Sequence, residues 1–496
     1  MISNRPCGKK KQQGLALLVL VIIIFLAMTT YYFSSISIVE IQADKVEKTQ
    51  TVLKRAKQAL LAYAMTKWYE PSEGGKMGKL PCPDYNNNGV DGEQDGNCGD
   101  TYANAIGYFP WRTLGLEITK DSSGACLLYA VSPAYKTSPA AALNPDSYGQ
   151  FRIVDNAGAV VQGVLPEDRP VAVIIAPESS LPGQARENNP AITCGSYYAN
   201  NLQNLTAAYL DNNGVTDNAA IDPGTDDVIE NFVAMYAGSD EANNPLNDRL
   251  ITITHRELWD AMQEAVTSAA FDTRMRNLTE AIALCFAEYG NNNNDHLPMP
   301  AELDLNGGEY RKSSDYDDNG NFNSKFAGRL PYNVSRANAE IGNGDASNIF
   351  SNTYCNGLDL PSTATIEAIN FSGDTGSDQG EYFDLWSNWK DHFFYAISKD
   401  HRPDASTAAC SGDCIEVGGS TYAAVVFFSG LKQAGQQRYA PPFEADDKDD
   451  VANYLENNNA THFPDNAGNG HYDIVVGGSN DVMFCIKSDM SVSECL

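Results

Sequence analysis

The sequence predicts an α+β protein: one long N-terminal helix, part transmembrane and part amphipathic, carrying two tandem modules of helix plus antiparallel sheet. Three observations predict it. Leu15 to Val39 contains no charged residue and runs on into a helical pattern without glycine or proline as far as Glu70. Short sequence fragments from the first half of the chain recur in the same order in the second. Between them lie β-branched and aromatic runs bounded by Gly, Asn and Asp clusters, which read as strands.

The helix comes first. Residues 1–14 form a basic leader with Arg5, Lys9, Lys10, Lys11 and no acid. The apolar run that follows is long enough to cross a bilayer, which takes about 20 residues, and its length and the lack of a small-residue cleavage site argue against a secretory signal peptide. The lysines precede it, so the expected topology is a cytoplasmic N-terminus and an exported remainder. From Glu40 to Tyr69 the apolar positions Ile41, Val46, Leu53, Leu60 and Ala64 recur near helical spacing among charged residues, the pattern of a helix lying on a sheet. Pro71 supplies the stop.

The repeat follows. Leu80-Pro81-Cys82-Pro83 returns as Leu297-Pro298-Met299-Pro300, and Leu127–Ser132 as Phe393–Ser398. VAVIIAPESSLPGQAR at 171–186 is matched by AAVVFFSGLKQAGQQR at 423–438, the run 227–232 by 450–455, and NDRLITI at 247–253 by NDVMFCI at 480–486. Read as a duplication, these place a first module over 40–255, with its amphipathic helix at 40–69, and a second over 256–496, with a spine helix at 256–288. That segment holds no glycine or proline and is rich in helix formers.

Composition sets the partners. With 34 Lys+Arg against 64 Asp+Glu the net charge is −30, and nucleic acid is excluded because a phosphate backbone needs a basic footprint. The histidines His255, His296, His392, His401, His462 and His471 form no H-E-x-x-H pair, no serine sits in G-x-S-x-G, and there is no Walker A or dinucleotide-binding glycine pattern. The expectation is a protein that is not an enzyme.

Two loops carry the spacing of calcium ligands. Asp84, Asn86 and Asn88 precede Gly89, with the Val90 carbonyl and Asp91 or Asp95 able to complete a shell; Asp315, Asp317 and Asn319 precede Gly320, followed by Asn321 and Asn323. Calcium takes six to eight hard oxygens, and alternate loop residues can aim them at one centre. Glu302, Asp304 and Asn306 form a degenerate third copy. Of 11 cysteines, Cys7 lies in the leader. The even remainder, Cys82, Cys98, Cys126, Cys194, Cys285, Cys355, Cys410, Cys414, Cys485 and Cys495, suggests disulfides in an exported head. Cys82–Cys98, Cys410–Cys414 and Cys485–Cys495 are the short-range candidates and Cys126–Cys194 and Cys285–Cys355 remain, although spacing does not fix connectivity.

The basic leader, Gly14 and the charge-free start of a 50-odd-residue helix resemble the type IV pilins and the type II secretion pseudopilins. The resemblance covers residues 1–70, and the head around 54–258 is similar to large pilin-like proteins of Gram-negative bacteria. It implies that a prepilin peptidase cuts after Gly14 and methylates Leu15, and that the helix then joins other pilins. It also implies an inner-membrane protein with a periplasmic head before assembly, and a pilus or pseudopilus component after it. The family usually has glutamate at the fifth mature position, where this chain has Val19. A carboxylate in lipid needs a partner amine, and a subunit with no predecessor gains nothing from one, so valine suggests a minor or tip subunit serving assembly initiation, adhesion or substrate contact. The alternative is a membrane-anchored periplasmic calcium-binding or adhesion protein that does not polymerise.

Overall fold

The computed structural model describes residues 13–66, 78–84, 90–184, 186, 193–195, 202–212, 217–219, 228–234, 246–265, 268–305, 310–317, 325–332, 334, 381–439, 447–463, 465, 467–474 and 479–495. Helix α1 (Gln13–Thr66) is continuous over 54 residues. Leu53, Ala56, Leu60 and Ala64 are spaced by three and four residues, fall on one stripe and are buried. The transmembrane half expected of this helix is corrected: no helix among the described residues is long and apolar enough to cross a membrane. The apolar side chains described run from Leu17 to Tyr32. Thr29 lies within that run, and its hydroxyl donates to the Phe25 carbonyl at 2.9 Å.

In the first half, strands β1 (Ala105–Tyr108), β2 (Leu128–Val131), β5 (Pro170–Ala176) and β7 (Arg249–Thr254) form a sheet in the order β1-β2-β5-β7, all antiparallel. Strand β5 is buried throughout, as its unbroken apolar run requires. Alternate residues face two cores. Tyr129, Val131, Ala172 and Ile174 join the α1 stripe and the Leu80-Pro81-Cys82 segment; Leu128, Ala130, Val173 and Ile175 face helix α2 (Leu202–Tyr209) and a second, smaller sheet. That sheet, β3 (Phe151–Val154), β4 (Val160–Gln162) and β6 (Glu230–Val233), pairs β3 with β4 antiparallel and β3 with β6 in parallel. The expected purely antiparallel module is corrected on this point, because the long connection from β4 to β6 allows the crossover a parallel pair needs.

The described residues of the spine helix expected at 256–288 serve two cores. Helix α3 (His255–Ala265) places Leu258, Trp259 and Met262 in the α1 core, whereas α4 (Ser268–Asn292) is the spine of the second half. Against α4 lies a sheet of β8 (Ala327–Arg329), β9 (Phe393–Ile397), β12 (Ala424–Phe428), β14 (Val482–Ile486) and β15 (Val492–Glu494), ordered β15-β14-β12-β9-β8. Helix α5 (Glu381–Trp389) closes that core with Trp386 and Trp389. On the other face, β10 (Ile415–Val417), β11 (Ser420–Tyr422) and β13 (His471–Tyr472) make a small sheet with one antiparallel and one parallel pair, beside the short helix α6 (Asn457–His462).

The halves follow one path. The order β1-β2-β5-β7 is repeated by β8-β9-β12-β14, and β4-β3-β6 by β11-β10-β13. Even the isolated bridges agree, Asp84 with Tyr108 and Ala301 with Arg329. One fragment pairing changes: 227–232 runs into strand β6, whereas 450–455 forms a 3-10 turn. The better counterpart of Ala452–Asn457 is Ala207–Asn212 at the end of α2, for reasons given below.

Candidate functional site

The loop acids are only partly brought together. Asp84 is fully buried, and its Oδ2 accepts the Gly92 amide at 2.6 Å. A Cβ on Gly195 would lie 2.7 Å from that oxygen and 2.6 Å from the Asp91 Cα, so glycine there lets the Cys194 segment close over both acids. Asp91 in turn accepts the Thr193 hydroxyl. Asp95 is buried, and the Val90 carbonyl accepts the Glu93 amide at 3.4 Å. Asn86 and Asn88 lie outside the described residues, as do Asn319, Asn321 and Asn323 of the second loop, whose Asp317 is exposed. Position 84 is matched by Ala301 in the second half, with the same bridge; the fold does not itself demand a carboxylate there. The described acids of these loops do not form a three-ligand metal group.

Disulfides join Cys82 to Cys98, Cys126 to Cys194, Cys410 to Cys414 and Cys485 to Cys495. Cys285 is a buried thiol with no such bond among the described residues, and its expected partner Cys355 lies outside them. His401, Cys410 and Cys414 are close enough to ligate a metal, but the two sulfurs are bonded to each other and offer no thiolate.

Sequence reasoning missed a buried ionic cluster at the junction of the halves. Asp146, from the first half, faces His392 Nε2 at 3.0 Å and Arg438 at 3.6 Å, both from the second. Beside them Asp391 is paired with Lys448 and accepts the Asn144 amide at 2.7 Å. Arg329 donates to the backbone carbonyls of Asp391 and Lys448 and lies 4.4 Å from the Phe394 ring centroid and 4.7 Å from that of Tyr454. All these charges are buried. Burial alone would raise the Asp146 carboxyl; Arg438, His392 and Lys448 outweigh it and hold it below the usual carboxylate range. Asp391 is likewise lowered against its burial by Lys448 and His392. Asp146, Asp391 and His392 could geometrically hold a metal, but Arg438 and Lys448 already neutralise both acids, and a divalent ion would add two further positive charges to one low-dielectric pocket. The cluster is built as a compensated lock.

A second missed feature occurs once in each half. Arg186 donates to the carbonyls of Ala208 at 3.2 Å and Tyr209 at 3.0 Å, 5.0 Å from the Tyr209 ring centroid; Arg438 donates to Asn453 at 2.7 Å, 4.4 Å from the Tyr454 ring centroid. Gln184 and Gln436 support their arginines at 2.9 and 3.0 Å. Next to each arginine sits an acid pair. The Asp211 amide donates to Asp248 at 2.8 Å, and the Glu456 amide to Asp481 at 3.3 Å. This correspondence is what aligns 207–212 with 452–457. Burial and then the Glu456 charge push the Asp481 carboxyl up to about 9, and burial and the Asp211 charge raise Asp248 well above the usual range. The signal was visible in the repeated Gly-Gln-x-Arg at 183–186 and 435–438 and the repeated Asn-Asp at 247–248 and 480–481.

The N-terminal part of α1 is the most conspicuous surface. Leu17 to Leu26 are all exposed, Leu17 and Phe25 at 67% each, and Met28, Tyr31 and Tyr32 continue the strip. Gly14 and Leu15 lie in the first turns of this helix. No protein-family profile, no curated protein and no solved structure matches this chain.

Proposed function

We propose that this chain is a minor or tip subunit of a type IV pilus or a type II secretion pseudopilus. In this reading it is cleaved after Gly14 by a prepilin peptidase and joined to other pilins through the apolar start of α1. The observation that carries the proposal is the uncovered apolar rod: side chains from Leu17 to Tyr32 stand exposed on a chain whose net charge is −30. Soluble folds rarely leave so long a contiguous apolar surface bare, and a bundle of like helices is one way to cover it. The acidic, disulfide-bonded head would then be displayed outward, to start assembly or to contact a surface or an exported protein.

The intact mass of the protein from cells with an active prepilin peptidase tests this. The expected result is loss of residues 1–14 and one added methyl group on Leu15; a full-length chain in the assembled or functioning protein overturns it. Calcium is proposed separately, as an ion that orders the first loop through Asp84 and Asp91. Calcium should raise the melting temperature of the wild-type protein and have no such effect on Asp91→Ala; an equal response in both removes the site.

A further inference from the structure

The two halves are each other's control, and they differ at one sheet edge. In the second half β14 is covered by β15, in antiparallel register Phe484 with Glu494, Cys485 with Ser493 and Ile486 with Val492. In the first half the counterpart strand β7 pairs with β5 alone among the described residues, and the chain turns directly from Thr254 into α3. Burial follows the difference. Met483 to Ile486 are buried, whereas Arg249 to Thr252 are half-buried. An uncovered edge strand presents a row of backbone donors and acceptors ready to pair with another chain.

The helix under that edge repeats the comparison. Met275, Leu278 and Ile282 of α4 are buried at the same spacing as Leu53, Ala56 and Leu60 of α1. The residue after Met275 is Arg276, whose guanidinium holds Glu494 of β15 at 2.6 Å and lies 5.4 Å from the Phe484 ring centroid. The residue after Leu53 is Lys54, exposed and also cationic. Register matches too: the Asn-Asp pair before each strand places Ile251 where β14 has Phe484, and Ile251 packs against the α1 core.

We propose that the open edge of β7 binds an extended segment of a partner polypeptide, antiparallel to β7, with a carboxylate on that segment placed at Lys54. This is β-strand addition, in which main-chain bonds supply affinity and the side chain at one position supplies selectivity. The occupant is a different polypeptide and not the β15 strand of a second copy, because Cys485–Cys495 ties β15 to its own β14. The inference is independent of how α1 is processed.

The test uses the whole chain and a defined probe, a peptide with the sequence of residues 487–496 and serine at the Cys495 position. Binding is read by isothermal titration, and the site by amide hydrogen exchange. The expected result is slowed exchange confined to 250–254, affinity reduced about fivefold by Lys54→Glu, and recovery on that variant when the peptide carries lysine at the Glu494 position. Lys54 is exposed, so the variant should keep the wild-type melting temperature. The proposal is overturned by absent binding at millimolar peptide, by protection elsewhere, by affinity indifferent to Lys54→Glu, or by β7 amides already protected through association of two copies.

Discussion

Asp146 is the residue on which the junction turns. It is buried between His392 and Arg438, and removing one member of a buried ion pair leaves an uncompensated charge, at a cost of about 3–5 kcal/mol. Asp146→Ala should therefore lower unfolding free energy by about that amount in urea titration at neutral pH; a change under about 1 kcal/mol would mean the cluster is solvated. The acids also give pH stability two opposed slopes. Asp146 and Asp391 are lowered in the fold, so their contribution is present above the unfolded pKa near ~3.9 and is lost as pH falls below it. Asp481 is raised to about 9, so its contribution is complete below ~3.9 and is lost as pH rises towards 9. Asp481→Asn should flatten the decline in stability between those limits while leaving the acid limb unchanged. A parallel decline in wild type and variant would show that Asp481 titrates normally. The burial of these acids was not legible in advance. An aspartate in an acidic chain carries no mark of burial, and Asp146 lies in no motif; Arg186 and Arg438 did stand in matched fragments, yet only the fold shows them bonding to backbone carbonyls.

At the scale of elements, regular patterns were readable and their partners were not. The α1 stripe Leu53, Ala56, Leu60 and Ala64 follows from helical spacing, and the apolar runs of β5 and β12 from burial on both faces. That 255–265 and 268–292 enter different cores was not readable, because no glycine or proline falls between them. The membrane span is not upheld, since no helix among the described residues is long and apolar enough to cross a membrane. The exposed strip makes its own prediction. Ile23 is 58% exposed, so under the proposed pilus or pseudopilus role Ile23→Glu should leave the melting temperature of the head unchanged while abolishing co-purification with pilin subunits; retained co-purification would overturn assembly through this strip. Disulfides differ in weight by the loop they close. Cys126–Cys194 spans a sequence separation of 68, which chain entropy values at about 4 kcal/mol. Replacing both cysteines by serine should cost the first half far more than opening Cys410–Cys414, whose separation is 4; equal losses would contradict the loop-length argument.

For the whole molecule the question is whether two halves of like topology unfold together. Each has its own cores, which by itself favours independent transitions. The junction works against that. If the first half unfolded alone, Arg438 would lose Asp146, Asp391 would lose the Asn144 amide, and Glu167 would release Lys432 at 3.2 Å and the Tyr439 hydroxyl at 2.8 Å. The buried Arg438 and Asp391 and the half-buried Lys432 and Tyr439 would lose these partners, so local unfolding of one half raises the free energy of the other and couples them. Calorimetry of the intact wild-type chain should show one cooperative transition. The double variant Asn144→Ala, Glu167→Ala removes the Asn144 and Glu167 contacts across the boundary and leaves in place the Asp146–Arg438 pair, which also crosses it, and the Asp391–Lys448 pair within the second half. It should split the transition into two, with the half carrying four hydrogen-bonded strands and the long α1 resolved from the half carrying β15. A single unsplit transition at unchanged temperature would show that coupling comes from apolar packing across the boundary rather than from these polar contacts.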